Sequence, residues 1–162
     1  MTAPVILVTG ASRGLGRGMA LELARGGYSV AINYAGNTVA AAESQALCEQ
    51  LATSPDQKFI TVKADVSNAQ ERKEMLDTII EKFGRLDGLI NNAGIAPRVR
   101  ADISEASEES FEEIIKVNLQ GPYFLTQEVS NYIMNSEQEP LLDGAKGRII
   151  FVTSISSHTA SV

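Results

Sequence analysis

Short apolar runs alternate along this chain with longer segments of helical periodicity. Val5-Ile6-Leu7-Val8 is a run of β-favouring residues, typical of a strand buried on both faces of a parallel sheet. In residues 17–25 the apolar positions recur at helical spacing, and Gly26-Gly27 supplies the stop. The same pattern predicts further strands at 28–32, 59–62, 86–90 and 148–153, and helices at about 38–51, 69–83 and 110–134.

Strands separated by helices long enough to cross over indicate right-handed βαβ units. We therefore expect an α/β fold, a doubly wound parallel sheet of the Rossmann type, truncated after the fifth strand. In this interpretation residues 1–162 form one domain, and the fifth strand presents an unpaired apolar edge. Ligands of such sheets bind beyond the carboxyl ends of the strands, so the candidate residues are sought there.

Composition narrows the classes of partner. The chain has 162 residues, 44% of them hydrophobic, and a formal net charge of −6. Without a run of Lys and Arg, this charge argues against nucleic acid or an anionic membrane as a partner. Cys48 and His158 are the only residues of their types, so we expect no disulfide and no metal site. Neither a secretory signal nor a bilayer-spanning segment is evident, and we expect a cytoplasmic protein.

The turn after the first strand, residues 9–16, reads Thr-Gly-Ala-Ser-Arg-Gly-Leu-Gly. Gly10 and Gly14 remove the Cβ atoms that would block a tight turn and a close approach of a ligand, while Gly16 lets the helix pack near the sheet. The N–H groups at the start of the helix can then bind a pyrophosphate. A glycine-rich turn without a ligand is the alternative.

This GxxxGxG spacing resembles the TGxxxGxG motif of the short-chain dehydrogenase/reductase family, whose members transfer hydride between a nicotinamide cofactor and a carbonyl or alcohol. The resemblance extends to Asn91-Asn92-Ala93-Gly94, which matches the family's NNAG after the fourth strand. It implies that the cofactor is bound by residues of both segments: Gly10, Ser12, Arg13, Gly14, Leu15, Gly16, Asn92, Ala93 and Gly94.

Two positions favour NADP(H) over NAD(H). Many NAD sites carry an Asp or Glu at the end of the second strand, where it binds the ribose hydroxyls and would repel a 2′-phosphate. Here that place holds Asn33 and Tyr34. Arg13 can pair with the 2′-phosphate, although a solvated loop arginine is the alternative.

Three further residues match the family's pattern. Asp65, followed by Val66, stands where the family binds adenine, although Asp65 could instead cap the next helix. Asn118 matches the helix asparagine whose backbone holds a water of the family's proton relay, with a solvent-facing helix residue as the alternative. Ser154 matches the serine that orients the substrate and, with Asn118, is a catalytic candidate; Ser156 and Ser157 compete with it.

The family's catalytic YxxxK motif is missing. None of the tyrosines, at positions 28, 34, 123 and 132, has a lysine four positions on, and the sequence ends at Val162. Two explanations compete: the front part of a longer enzyme, which we favour, or a shortened protein that binds cofactor without catalysis. An unpaired parallel edge strand is poorly tolerated in a finished domain.

The sequence thus predicts an NADP(H)-dependent oxidoreductase acting on a small carbonyl or alcohol substrate. The 11–14 and 33–36 segments most resemble the 3-oxoacyl-(acyl-carrier-protein) reductase branch, which implies a 3-oxoacyl thioester substrate, and the family resemblance implies a dimer or tetramer. The alternatives are a non-catalytic NADP(H)-binding module and a family member that acts on a sugar, ketone or steroid.

Overall fold

A computed structural model of the protein describes residues 3–141 and 143–154. Strands and helices alternate from the first to the last of these residues. The strands are β1 (Val5–Val8), β2 (Ser29–Tyr34), β3 (Phe59–Lys63), β4 (Gly88–Asn91) and β5 (Arg148–Phe151). The helices are α1 (Gly14–Arg25), α2 (Thr38–Leu51), α3 (Ala69–Phe83), α4 (Glu108–Ile115) and α5 (Gly121–Asn135).

The strands form one parallel sheet in the order β3-β2-β1-β4-β5. This confirms the predicted doubly wound fold. The order reverses beside β1, because β2 and β3 lie on one side of it and β4 and β5 on the other. A crevice therefore opens at the carboxyl ends of β1 and β4, where ligands of such sheets bind.

Apolar side chains cover both faces of the sheet, and β1 shows why. Val5 and Leu7 belong to the core cluster on the α3 and α5 side, whereas Ile6 and Val8 belong to the cluster on the α1 and α2 side. Successive strand residues point to opposite faces, so an uninterrupted apolar run is what a strand covered on both sides requires. None of the described helices is long and apolar enough to cross a membrane.

The single helix predicted at 110–134 is interrupted. A π-helical turn, Lys116–Gln120, separates α4 from α5. Pro122 has no N–H to donate to the carbonyl of Asn118 four residues earlier, so regular α-helical bonding cannot run through this point. Gly121 packs against the turn after β3, where a Cβ atom would lie 2.7 Å from the carbonyl oxygen of Val66.

Several predicted strand ends were also wrong. β2 includes Asn33 and Tyr34, which the sequence had placed beyond it, and β4 begins at Gly88 instead of residue 86. β5 ends at Phe151, short of the predicted residue 153. Its outer side is the expected apolar edge, since Ile150 is 50% exposed and Phe151 is 52% exposed.

A buried ionic cluster ties the start of β1 to the start of β4. The carboxylate of Asp87 is fully buried and accepts hydrogen bonds from the Val5 amide at 2.7 Å and from Arg85 Nη2 at 2.6 Å and Nε at 2.8 Å. Gln138 supplies a longer contact of 3.4 Å. This cluster holds the end of the sheet opposite the crevice.

We predict that Asp87→Ala lowers the free energy of unfolding by about 3–5 kcal/mol, because it leaves the Arg85 guanidinium and the Val5 amide without their acceptor. Chemical denaturation measures the change. Asp77→Ala, which removes an exposed carboxylate on α3, should shift it by less than about 0.5 kcal/mol. Equal losses in the two variants would contradict the assigned role of the cluster.

Candidate functional site

A cavity of about 490 Å³ opens at the carboxyl ends of β1 to β4. Its walls are the glycine turn after β1, the loop after β2, the turn after β3 and the segment after β4. Most of the cofactor residues predicted from the sequence line it: Gly10, Ser12, Arg13, Asn33, Tyr34, Asp65, Val66, Asn92, Ala93 and Gly94.

Gly14, Leu15 and Gly16 do not line this cavity. They form the first turn of α1, which begins at Gly14 and not at residue 17 as predicted. The apolar periodicity of the helix starts after this turn, and the side chain of Leu15 is 74% exposed, so the sequence pattern missed it. No side chain among the described residues caps this end of α1, whose backbone N–H groups remain suited to an anion.

Two glycines allow the turn to pack closely. Gly10 has φ +63°, and a Cβ atom on it would lie 3.0 Å from the Cα atom of Ala93. A Cβ atom on Gly16 would lie 2.4 Å from the Gly10 carbonyl oxygen and 2.5 Å from Asn92 Nδ2. Such distances are far inside van der Waals contact, so only glycine fits at position 16 without moving the turn.

Thr9 and Asn92 join the glycine turn to the segment after β4. Asn92 Nδ2 donates to the carbonyl oxygens of Thr9 at 2.8 Å and Gly10 at 3.2 Å. The Thr9 hydroxyl accepts from the amides of Asn92 and Ala93, both at 2.9 Å, and donates to the Ile90 carbonyl at 3.2 Å. The two neighbouring strand ends therefore form one rigid wall of the cavity.

Asn33 fixes the other side of the glycine turn. Its buried Oδ1 accepts from the Gly10 amide at 3.2 Å, and Nδ2 donates to the carbonyls of Val62 at 3.3 Å and Ala64 at 3.0 Å. The amide is thus engaged with three backbone groups. The loop that follows β2, Ala35-Gly36-Asn37, also contains no carboxylate.

Asp65 does not cap α3. Its Oδ1 accepts from the amide of Ser67 at 2.9 Å and the hydroxyl of Ser67 at 2.7 Å, while Asn68 is the residue whose side chain caps the helix. The capping alternative considered for Asp65 was therefore wrong. Asp65 instead shapes the turn after β3 and, with Val66, lines the cavity.

Asn118 lies in the π-helical turn and holds the segment after β4. Its Oδ1 accepts from the Ile95 amide at 2.8 Å, and its Nδ2 donates to the Ile95 carbonyl at 2.9 Å. A Cβ atom on Gly94 would lie 3.4 Å from this Oδ1. The side chain is therefore a backbone clamp and not simply a solvent-facing helix residue.

One carboxylate on α4 reaches the rim of the cavity. Glu113 forms an ion pair with Arg98 in which Arg98 Nη2 lies 2.6 Å from Glu113 Oε1. Hydrogen bonding from Arg98 is the main reason that the pKa of Glu113 is lowered, whereas the nearby charge of Asp65 acts in the opposite direction. The pair ties the loop after β4 to α4.

Ser154 was predicted to follow the fifth strand directly, and in the structure it does not. It is an exposed residue three positions beyond Phe151, the last residue of β5. Asn118 and Thr153 line a second cavity beside β5, so this part of the chain runs toward the π-helical turn. Ser156, Ser157 and His158 lie outside the described residues.

Sequence reasoning missed several residues of the main cavity. Ala35, Gly36 and Asn37 could have been proposed because they directly follow a strand. Glu113 and Val117 belong to the segment of α4 and the π-helical turn, where no sequence motif marks them as part of a site. Within residues 3–141 and 143–154, no three His, Cys, Asp or Glu side chains are grouped so that they could hold a metal ion.

The amino-acid sequence of the chain matches a known protein family. The sequence profile described as short chain dehydrogenase matches residues 4–162. The chain belongs to this family. In this member of the family the structure brings the glycine turn and the NNAG segment together at one strand-end crevice.

Curated relatives include 3-oxoacyl-(acyl-carrier-protein) reductases. That of Synechocystis sp. is 36% identical over 156 residues, which cover 96% of this chain and 58% of the relative. FabG of Staphylococcus epidermidis is 36% identical over 149 residues, covering 92% of this chain and 55% of the relative. The chain thus spans little more than half the length of the curated relatives it matches.

Solved structures of the family superpose closely. A 3-oxoacyl-(acyl-carrier-protein) reductase from Brucella melitensis, solved in complex with NAD, is 30% identical with a TM-score of 0.85, over 99% of this chain and 59% of the other. Acetoin dehydrogenase from Enterobacter cloacae is 26% identical with a TM-score of 0.81, and the match covers 99% of this chain and 58% of the other.

We predict that Gly16→Ala destabilises the protein by about 1–3 kcal/mol, because its Cβ atom displaces the glycine turn from Asn92. Gly18→Ala is the matched control on the same helix. No atom lies within 4 Å of a Cβ at position 18, so this variant should gain about 0.5–1 kcal/mol. Chemical denaturation gives both values, and similar changes in the two variants would refute the close packing at Gly16.

Proposed function

We propose that the protein is an NADP(H)-dependent oxidoreductase and that residues 1–162 are the nucleotide-binding portion of its Rossmann domain. The observation that carries the proposal is the cavity between the glycine turn and the loop after β2. Arg13 lines this cavity, and residues 33–37, which also line it, include no carboxylate. This combination suits an anionic 2′-phosphate better than a free ribose hydroxyl pair.

The residues present fit a dinucleotide. Gly10 lines the cavity without a side chain, and the uncapped start of α1 offers N–H groups to a pyrophosphate. Asp65 and Val66 would hold the adenine, while Asn92, Ala93 and Gly94 would lie along the ribose and nicotinamide. When bound, the cofactor supplies or accepts the hydride.

Asn118 and Ser154 are the proposed catalytic residues of this part of the chain. The carbonyl of Asn118 has no α-helical donor because residue 122 is proline, so it can accept a hydrogen bond from a relay water. Ser154 would orient the substrate oxygen by donating from its hydroxyl. We infer that the proton donor belongs to the remainder of the enzyme.

The substrate that the relatives favour is a 3-oxoacyl thioester. Support comes from the 36% identity to reductases whose names specify that substrate. We further infer a cytoplasmic homo-oligomer, a dimer or tetramer. Exposed apolar side chains of Phe111 on α4, Leu119 in the π-helical turn and Tyr123 on α5 support self-association. Following NADPH absorbance with the full-length gene product and 3-oxoacyl, ketone and sugar substrates tests the assignment.

We predict that Arg13→Ala weakens NADPH binding about 10- to 100-fold and NADH binding less than about twofold, because only NADPH carries the phosphate that the guanidinium would bind. Fluorescence titration of the full-length gene product measures both affinities. Arg25→Ala removes an exposed arginine at the far end of α1 and should leave both unchanged. Equal losses for the two cofactors in Arg13→Ala would refute the NADP(H) assignment.

A further inference from the structure

Arg17 on α1 links the glycine turn to α2. Its Nη2 donates to the carbonyl of Ser12 at 2.7 Å, to the carbonyl of Ala40 at 3.0 Å and to Glu43 Oε2 at 3.1 Å. Its Nε donates to the hydroxyl of Ser44 at 2.8 Å and lies 3.2 Å from the Ser12 carbonyl. We call these five residues the arginine clamp.

The clamp converges on one carbonyl. The Ser12 oxygen accepts from Nε and Nη2 of Arg17. The hydroxyl of Ser44, fully buried on α2, lies 3.0 Å from this oxygen and 3.1 Å from the Ala40 carbonyl, and shares its proton between them. In a trans peptide the C=O and the next N–H point in opposite directions. Holding the Ser12 carbonyl in the clamp therefore turns the Arg13 N–H away from it and fixes the peptide that carries Arg13.

The clamp also sets the distance between two walls of the main cavity. Ala40 lies in the first turn of α2, and its amide donates to the capping side chain of Asn37 at 2.9 Å. Asn37 and Arg13 both line the cavity. A single guanidinium thus holds the glycine turn and the start of α2 at a fixed separation.

Arg17 itself does not line the cavity, and its side chain is 26% exposed. Its Nε and Nη2 atoms donate to protein acceptors, so these donors do not meet a ligand. Its charge also compensates Glu43, a carboxylate that would otherwise stand uncompensated near the start of α2. The fixed separation of the glycine turn from α2 and the compensated charge of Glu43 both favour an anion between Arg13 and Asn37.

We propose that Arg17 is a positioning residue that determines selectivity for 2′-phosphorylated cofactors. The inference rests on the proposed function, because it requires Arg13 to bind the 2′-phosphate. Arg17 acts through Arg13 by orienting the Ser12–Arg13 peptide, and it keeps the opposing wall at the spacing that the phosphate needs. The two arginines should therefore be energetically coupled.

The test is a double-mutant cycle in the full-length gene product. Arg17→Met is made in the wild-type and the Arg13→Ala backgrounds, with Arg25→Met as the matched control on the same helix. Dissociation constants for NADPH and NADH are measured by titration. We expect Arg17→Met to lower the NADPH preference about tenfold in the wild type and less than about twofold without Arg13, with no change in Arg25→Met.

The change in preference for NADPH over NADH distinguishes a positioning role of Arg17 from a general contribution to folding stability. If Arg17→Met weakens NADPH and NADH equally, or if the effects of the two arginine substitutions on the preference simply multiply, the inference is overturned. Ser44→Ala carries the test if Arg17→Met does not fold, because it removes one donor from the Ser12 carbonyl and the acceptor of Arg17 Nε. We expect a loss of preference of about threefold, and an unchanged preference would overturn the inference.

The wild-type titration distinguishes this inference from the proposed function. Absence of binding of either cofactor would remove the proposed function and the role of Arg17 with it. Binding of NADPH in preference to NADH, with the preference unchanged in both Arg17→Met and Ser44→Ala, would leave the proposed function standing and reject only the role of Arg17.

Discussion

The contact between Thr9 and Asn92 is the constraint on which the candidate site depends. Through it the end of β1 and the end of β4 form one wall, although 83 positions of sequence separate the two residues. Gly16 makes the contact possible, since a Cβ atom there would lie 2.5 Å from Asn92 Nδ2, and a Cβ atom on Gly10 would press on Ala93 at 3.0 Å. The crevice is therefore a product of backbone packing at the centre of the sheet.

Polar side chains around the crevice mainly hold the backbone. Asn33, Asn92 and Asn118 each bond to main-chain groups of another segment, and Arg17 does so for the glycine turn and α2. Asn33 is buried and Asn92 is partly buried, and amides in such positions stabilise when both donor and acceptor are used. No described side chain caps the start of α1, and Arg13 lines the cavity beside it.

Much of this could be predicted from the sequence, and the errors have identifiable causes. The apolar runs gave the strands because a parallel strand covered on both sides has no polar positions. The start of α1 was missed because its first turn, Gly14 to Gly16, contributes no buried apolar side chain to the helical pattern. The break before α5 was missed although Pro122 marks it, because the helical periodicity continues on both sides.

The sequence by itself determined the family, the strand and helix order and the segments that form the crevice, since glycine spacing and apolar periodicity are local properties. Only the tertiary structure decided which polar side chains face the cavity and which hydrogen-bond to the backbone segments that form it. Asn33 turns toward backbone groups, Glu113 reaches the rim from α4, and Arg17 spans two helices. These roles depend on distances between segments remote in the chain, which no local pattern encodes.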